Sequence, residues 1–418
     1  MARLPTAPLF GSTPGSVPYV GELNSQFNPI IIMLVGYLEK SHGPHALENA
    51  VQKAYEKSPT FMNTFDITGA NSFLKFADDL LRWIPHENSE GKDVYNILCM
   101  FYFVFNQSPL KDMQTPITPD VVGQPLTWLS SWLVVYAQLV GQWMDTQDSL
   151  TAKSLETFRE SPAYNIAEAL EPVGGWKTFN ELFARFLQKG KRPIKSPDDD
   201  SVIVYPADCR YDTTLDDHSV NISSGGTVLI KGLPWTISSL LQGSEYGDQF
   251  DGGVWMHAFL NSYNYHRQHA PVRGTVLEAK VVQGTCYLEV NDDGKAKRTI
   301  LNRGLKDPKA PDTPGYQFLQ TRGIIIIDNP VLGKVAVLPI GMALVSGVKL
   351  SVRKGDELKK GDEISNFLFG GSDIICVFQS KAGLSPNSFV PSPDPPDDKP
   401  WENYSKYGTK LATATPVS

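Results

Sequence analysis

An α+β fold is predicted, with a helical N-terminal domain followed by a β-rich sandwich or barrel. Three features of the chain carry this reading. Apolar residues recur at helical spacing from about residue 25 to residue 186. After about residue 200 short β-type runs replace them, separated by Gly, Pro and Asn/Asp turns. The acidic triplet Asp198-Asp199-Asp200 marks the change of texture. With 418 residues the chain is long enough for two domains of ordinary size and a large buried core. The expected division is a loose N-terminus (1–22), a helical domain (23–170), a β-rich domain (171–384) and a disordered Pro-rich tail (385–418).

Each element follows from its local pattern. Pro, Gly and Ser crowd the first 22 residues. Helical patterns run over 46–55, 71–83, 94–105 and 126–144, and Pro109, Pro116, Pro119 and Pro125 separate the last two. The uncharged stretch 121–144 is just long enough to cross a bilayer. Ser130, Ser131, Gln138 and Gln142 fall on one side of it at helical spacing, so a buried amphipathic helix is the preferred reading. Strands are expected over 201–205, 227–230, 274–282, 286–290, 323–327 and 334–338. Two Lys-Gly-Asp turns, at 354–356 and 360–362, predict tight hairpins late in the β domain. The tail after Gly383 carries Pro386, Pro391, Pro393, Pro395, Pro396 and Pro400, which suggests disorder.

Composition excludes several classes. Net charge is -7, and the basic clusters are short, so no nucleic-acid partner is expected. The four cysteines (Cys99, Cys209, Cys286, Cys376) are widely separated. Neither a disulfide framework nor a zinc site is indicated, and a reducing compartment fits. No metal site is expected. The first twenty residues resemble neither a secretory signal nor an Arg-rich transit peptide, and a cytoplasmic location is expected on that ground.

The chemistry-bearing residues lie in the second half. Gly370-Gly371-Ser372 sits between the apolar runs 367–369 and 374–378. A serine after glycine can attack the preceding carbonyl if a histidine takes its proton, and elimination from the resulting ester leaves a carbonyl group at a new N-terminus. A plain turn with a polar tip explains the same triplet. His266 and His269 follow an aromatic lead-in (Trp255, His257, Phe259, Tyr263, Tyr265), and histidine is the usual proton shuttle near neutral pH. Asp208, after Pro206-Ala207, could orient a histidine, or simply close a turn.

Taken together and in this order, these motifs resemble the phosphatidylserine decarboxylase family of pyruvoyl enzymes. The matching stretches run from about residue 179 to 378. They comprise the 179–186 run with Arg192-Pro193-Ile194, Pro206-Ala207-Asp208, Lys231-Gly232 before Leu240-Leu241-Gln242-Gly243, the 265–274 run, and 354–363 leading to Phe369-Gly370-Gly371-Ser372. The resemblance implies a self-processing triad of Asp208, His269 and Ser372. It implies cleavage between Gly371 and Ser372, a covalent pyruvoyl cofactor built from Ser372, and His266 as the acid of the decarboxylation. It also implies two chains from one precursor. The sequence departs from the family pattern at Cys209 and Ser365, where glycine is usual, at Gln320-Thr321-Arg322, and at Asp373, which follows the serine and could tune or slow elimination.

The helical front looks like that of fungal family members acting on free amino acids, including tryptophan decarboxylases. Decarboxylation of a free amino acid in secondary metabolism, an aromatic one being an option, is therefore the first reading. Decarboxylation of phosphatidylserine to phosphatidylethanolamine, with membrane contact, is the alternative. A non-processing, non-enzymatic homologue is the third. The sequence leaves the oligomeric state open.

Overall fold

The computed structural model describes residues 27–43, 45–213, 219–230, 232–290, 315–344, 347–369 and 371–417. The expected loose N-terminus, Lys231, Gly370 and most of the 294–315 segment lie outside them.

Helices dominate residues 27–160: α1 (Pro29–His42), α2 (Ala46–Lys57), α3 (Pro59–Thr64), α4 (Ala70–Leu80), α5 (Asp93–Phe105), α6 (Trp128–Met144) and α7 (Ala152–Glu160). Starts are marked chemically. The Asn28 side chain accepts from the Ile30 N–H before Pro29, and Thr127 and Thr151 accept from Ser130 and Ser154. The uncharged stretch becomes α6, a helix buried on most sides. Ser131, Val135, Gln138 and Gln142 form its exposed stripe. Ser130 departs from the expectation: it is buried, and its hydroxyl accepts from the Thr115 N–H at 2.8 Å. The indole and phenol groups of α6 are satisfied inside the protein. Trp132 donates to Ile30 O, Tyr136 to Ala77 O and Trp143 to Trp83 O. Among the described residues no helix is long and apolar enough to cross a membrane.

The β part is built on a seven-stranded antiparallel sheet. Its order is β13 (Glu357–Leu358), β9 (Gly274–Val282), β10 (Arg322–Asn329), β11 (Gly333–Met342), β15 (Gly371–Phe378), β7 (Val254–Leu260) and β4 (Ser219–Asn221). A three-stranded sheet joins β12 (Val348–Leu350), β14 (Glu363–Phe367) and β8 (Arg267–His269). Three two-stranded pairs complete the set: β1 (Ala169–Leu170) with β2 (Phe186–Leu187), β5 (Thr227–Ile230) with β6 (Leu233–Thr236), and β3 (Val202–Val204) with β16 (Lys410–Thr413). Both Lys-Gly-Asp turns form, but not as the hairpins expected: β13 pairs with β9 in the large sheet while β12 and β14 pair in the small one, so each turn carries the chain from one sheet to the other. Gly355 and Gly361 take φ of 94° and 89°, and Asp356 and Asp362 accept from the backbone N–H three residues earlier.

Side-chain alternation gives the large sheet two buried faces. Ile374, Cys376 and Phe378 of β15 share a core with the helices. Ile375 and Val377 join a second core with Trp235, Trp255 and Phe318. The helical and β parts are thus not separately packed. Trp83 meets Phe369, Tyr102 donates to Cys286 O, and Asn106 bonds both Leu288 O and the Val290 N–H.

Two further expectations are corrected. Residues 286–290 form no strand: among the described residues, side chains take several of the backbone groups that a partner strand would bond. Gln320 accepts from the Tyr287 N–H and donates to its carbonyl, which also accepts the Ala343 N–H, while Tyr102 donates to Cys286 O and Asn106 bonds Leu288 O and the Val290 N–H. The tail from 385 to 417 is ordered against the β part. β16 pairs with β3, and Phe389, Leu411 and Ala412 are buried. Its prolines interrupt regular structure, yet apolar residues beyond them reach the core. Leu411→Ala should therefore lower stability by about 2–4 kcal/mol, read as a drop in the urea midpoint of the uncut precursor. An unchanged midpoint would mean that the tail contributes no packing.

Candidate active site

Ser372 is the second residue of β15, where it pairs with Gly341 of β11 and Leu260 of β7. The chain enters this strand from β14, so the Gly-Gly-Ser step is a crossover between two sheets and not a hairpin tip. Ser372 is 1% exposed, and its hydroxyl has no hydrogen-bond partner among the described residues. A buried hydroxyl without a partner is costly, and such a group is often kept for chemistry.

His266 and His269 lie on the segment paired with β14. His269 stands opposite Glu363, and His266 O accepts the Phe367 N–H at 2.9 Å. His266 is therefore at the end of β14 that leads toward Ser372. Its ring stacks on Phe183 of α8 (Phe179–Phe183), 4.0 Å between centroids, and Phe183 also meets Phe369. Both ring nitrogens are buried, and neither forms a well-aligned hydrogen bond. Burial pushes the His266 imidazole well below its usual range. The nearby Arg185 guanidinium adds to this, and the backbone of Asn264 and Asn261 opposes it weakly.

His269 is held differently. Its Nδ1 lies 2.8 Å from Gly361 O, so Nδ1 carries the proton and donates it. Nε2 is left as an acceptor, 3.1 Å from the Tyr265 hydroxyl. Gly361 is placed for this by its left-handed backbone. Burial lowers His269 to about 4, partly offset by the Gly361 carbonyl.

Asp208, 1% exposed, is gripped by Arg192, whose Nε is 3.0 Å from Oδ1 and whose second amino group meets Oδ2. Arg192 also binds Glu168 at 2.7 Å, and the Tyr407 N–H donates to Asp208 Oδ1 at 2.9 Å. Asp208, His269 and Ser372 are thus not joined by direct hydrogen bonds among the described residues. The carboxylate binds a cation and a backbone donor, and the imidazole binds a carbonyl and a phenol.

The departures from the family pattern are accommodated. Cys209 is buried and pairs through its backbone with Ser405 of the tail, and burial pushes its thiol well up. Ser365 donates to Gln268 Oε1 at 2.7 Å. Asp373 faces away from the Ser372 side of the sheet, as strand alternation requires. Tyr316 donates to its Oδ2 at 2.7 Å, and His257 Nε2 lies 3.3 Å from the same oxygen. Among the described residues no group of three His, Cys, Asp or Glu is placed to hold a metal.

Sequence reasoning passed over two residues. Arg185 is 3% exposed and donates from one amino group to the carbonyls of Tyr164 and Tyr263. Its Nε and other amino group have no hydrogen-bond partner among the described residues. The position stood inside the matched 179–186 run, but only the fold reveals a buried cation without a carboxylate. Tyr407 lies outside every matched stretch, in the supposedly disordered tail.

Comparison with known proteins agrees with this architecture. The family model described as phosphatidylserine decarboxylase matches residues 179–392, half of the chain. The chain belongs to the phosphatidylserine decarboxylase family. It is 33% identical over 241 residues to phosphatidylserine decarboxylase proenzyme 3 of Schizosaccharomyces pombe, covering 57% of this chain and 22% of the relative. Decarboxylase iboD of Amanita muscaria is 28% identical over 216 residues, 50% of this chain and 61% of the relative. The phosphatidylserine decarboxylase proenzyme of Fusobacterium nucleatum is 26% identical over 257 residues, 61% and 78%. The chain therefore spans less than two thirds of the first two of these relatives.

Both histidines are held neutral in the folded chain, whereas an unfolded histidine takes a proton below about pH 6.5. Their contribution to stability is full above that pH and falls as pH drops toward the folded value. For His269, with a folded value of about 4, the loss across this window is on the order of 3 kcal/mol. The urea midpoint of the Ser372→Ala precursor should fall between pH 7 and pH 4.5, and less steeply in a precursor also carrying His269→Gln. Equal slopes would show that His269 is not held neutral.

Proposed function

We propose that this chain is a self-processing, pyruvoyl-dependent decarboxylase, cut between Gly371 and Ser372. The observation that carries the reading is the buried, unpartnered Ser372 hydroxyl directly after Gly371, in a chain of this family. In cleavage the Ser372 oxygen attacks the Gly371 carbonyl carbon, the peptide C–N bond breaks, and the freed amine takes a proton. Removal of the Ser372 α-hydrogen then expels the Gly371 carboxylate, and water replaces nitrogen at the new terminus with release of ammonia. Asp208 and His269 are assigned to this processing step. His269 suits a base, since its neutral Nε2 carries the lone pair.

The residues around Ser372 fit the cofactor: the serine is buried and stands beside the apolar Leu260, with buried Phe369 three residues before it. The pyruvoyl group would supply a carbonyl that condenses with the substrate amine and takes up the electron pair left by CO2. His266 would deliver the proton to the substrate α-carbon. Its neutral ring must pick up that proton from solvent or from the substrate amine, and because burial lowers the ring's proton affinity, the charged imidazole is then a strong donor. Arg185, buried beside it with free N–H groups, would hold an anionic group of the substrate.

A free amino acid is the first substrate class. The apolar faces of the helices are spent on the internal core, with the α6 aromatics bonded inside, which leaves them little apolar surface for lipid. Phosphatidylserine is the second reading, supported by the names of the yeast and bacterial relatives. Intact mass of the purified protein should give two chains, 1–371 and 372–418, the shorter without a free amino terminus. Ser372→Ala should stay whole. An uncut wild-type chain would sink the proposal. CO2 release from free amino acids against phosphatidylserine vesicles separates the two substrates. Arg185→Gln should still self-cleave and raise KM on the order of 100-fold; an unchanged KM would remove Arg185 from the binding site.

A further inference from the structure

The tail residue Tyr407 touches both residues assigned to processing. Its ring lies flat on His269, with centroids 3.7 Å apart and planes 1° from parallel. Its backbone N–H donates to Asp208 Oδ1 at 2.9 Å. Tyr265, which bonds His269 Nε2, stacks on the Tyr407 ring at 5.6 Å, so the imidazole belongs to a three-ring aromatic cluster. The tail is fixed at this point from both sides. Cys209 and Ser405 exchange backbone hydrogen bonds, as do Tyr205 with Gly408 and Thr409. Lys406 reaches Glu168, the second carboxylate on Arg192. Tyr407 also lies beyond residue 392, where the family match ends.

We propose that Tyr407 is a positioning residue for self-cleavage: it ties Asp208 to His269, which share no direct hydrogen bond, and holds the imidazole in one orientation and out of water. The proposal rests on the processing reading above. Its physical content is that the C-terminal segment is part of the processing machinery. After cleavage this segment belongs to the shorter chain, so the same contact would help keep the two chains together around the site.

Removing the ring opens one face of His269 to water while leaving the Tyr407 N–H on Asp208. The charged and titratable groups around His269 are Tyr265, Glu363 and Arg267 from its own sheet and Arg192 with Asp208 from the other side. The charged groups among these keep their contacts in the substitution; Tyr265 alone loses one, its stack on the Tyr407 ring, and it loses it equally in Leu and Ala. The imidazole should then return from about 4 toward its ordinary value.

The test uses the full chain in two arms. In the first, cleavage of wild type, Tyr407→Phe, Tyr407→Leu and Tyr407→Ala is followed by intact mass at pH 5.5 and 7.5. Phe keeps the stack and should cleave near the wild-type rate at both. Ala should slow by on the order of tenfold at pH 7.5 and further at pH 5.5, because its base is then largely protonated. Leu, which keeps apolar volume without the stack, should fall with Ala. In the second arm the His269 titration is read by NMR in the Ser372→Ala chain. The midpoint should rise in Tyr407→Ala and stay in Tyr407→Phe. Cleavage by Leu or Ala at the wild-type rate and pH dependence, or an unmoved His269 midpoint, would overturn the proposal. A wild-type chain that never cuts would overturn the processing reading, and the titration would still decide whether Tyr407 holds His269.

Discussion

The site depends on the antiparallel pairing of Gly371–Phe378 between Gly333–Met342 and Val254–Leu260. With a partner on each side, this strand has its backbone hydrogen bonds made, and its register cannot slip without exchanging two buried faces. That register sends Ser372 toward the helices and Asp373 toward the core around Trp255. A serine hydroxyl is thereby kept dry beside a peptide bond that enters from another sheet. The large sheet supplies the rigidity that fixes the Ser372 side of that bond.

Around this strand the protein keeps its ionisable groups in separate compartments. Asp208 is neutralised by Arg192, itself shared with Glu168. His269 is surrounded by rings and a carbonyl, and His266 lies against Phe183 with the Arg185 guanidinium nearby. Desolvation disfavours the charged imidazole at both positions, yet their hydrogen bonding differs. One histidine has a fixed tautomer and an oriented lone pair, while the other has no fixed partner. That contrast fits the roles proposed for them, His269 as the base of self-cleavage and His266 as the acid of decarboxylation.

The helical front serves the site through packing. Trp83 and Phe179 close on Phe369, and Asn180 accepts the Phe369 N–H at 3.0 Å, just before the Gly-Gly-Ser step. Helix Asp93–Phe105 braces residues 286–290 from the other end through Tyr102 and Asn106. Mutations in this front should therefore reach the site through strand geometry rather than through direct contact with a substrate.

The sequence by itself determined the α+β order, most element positions, the two Lys-Gly-Asp turns and the family. These follow from side-chain period, turn chemistry and short motifs, which are local. It also named Asp208, His266, His269 and Ser372 as the residues to examine. Only the tertiary structure decided how they are partnered. Arg192 is sixteen residues from Asp208 and Tyr407 is 199, and nothing local in the sequence announces either contact. The ordered tail was missed because its prolines argue against regular structure, while the burial of Leu411 and the stack of Tyr407 arise only when the β part is already folded. Residues 286–290 read as a strand because their side chains alternate well, but their hydrogen bonds go to Gln320, Tyr102 and Asn106. Hydrogen-bond satisfaction is a property of the folded neighbourhood, and period alone does not record it.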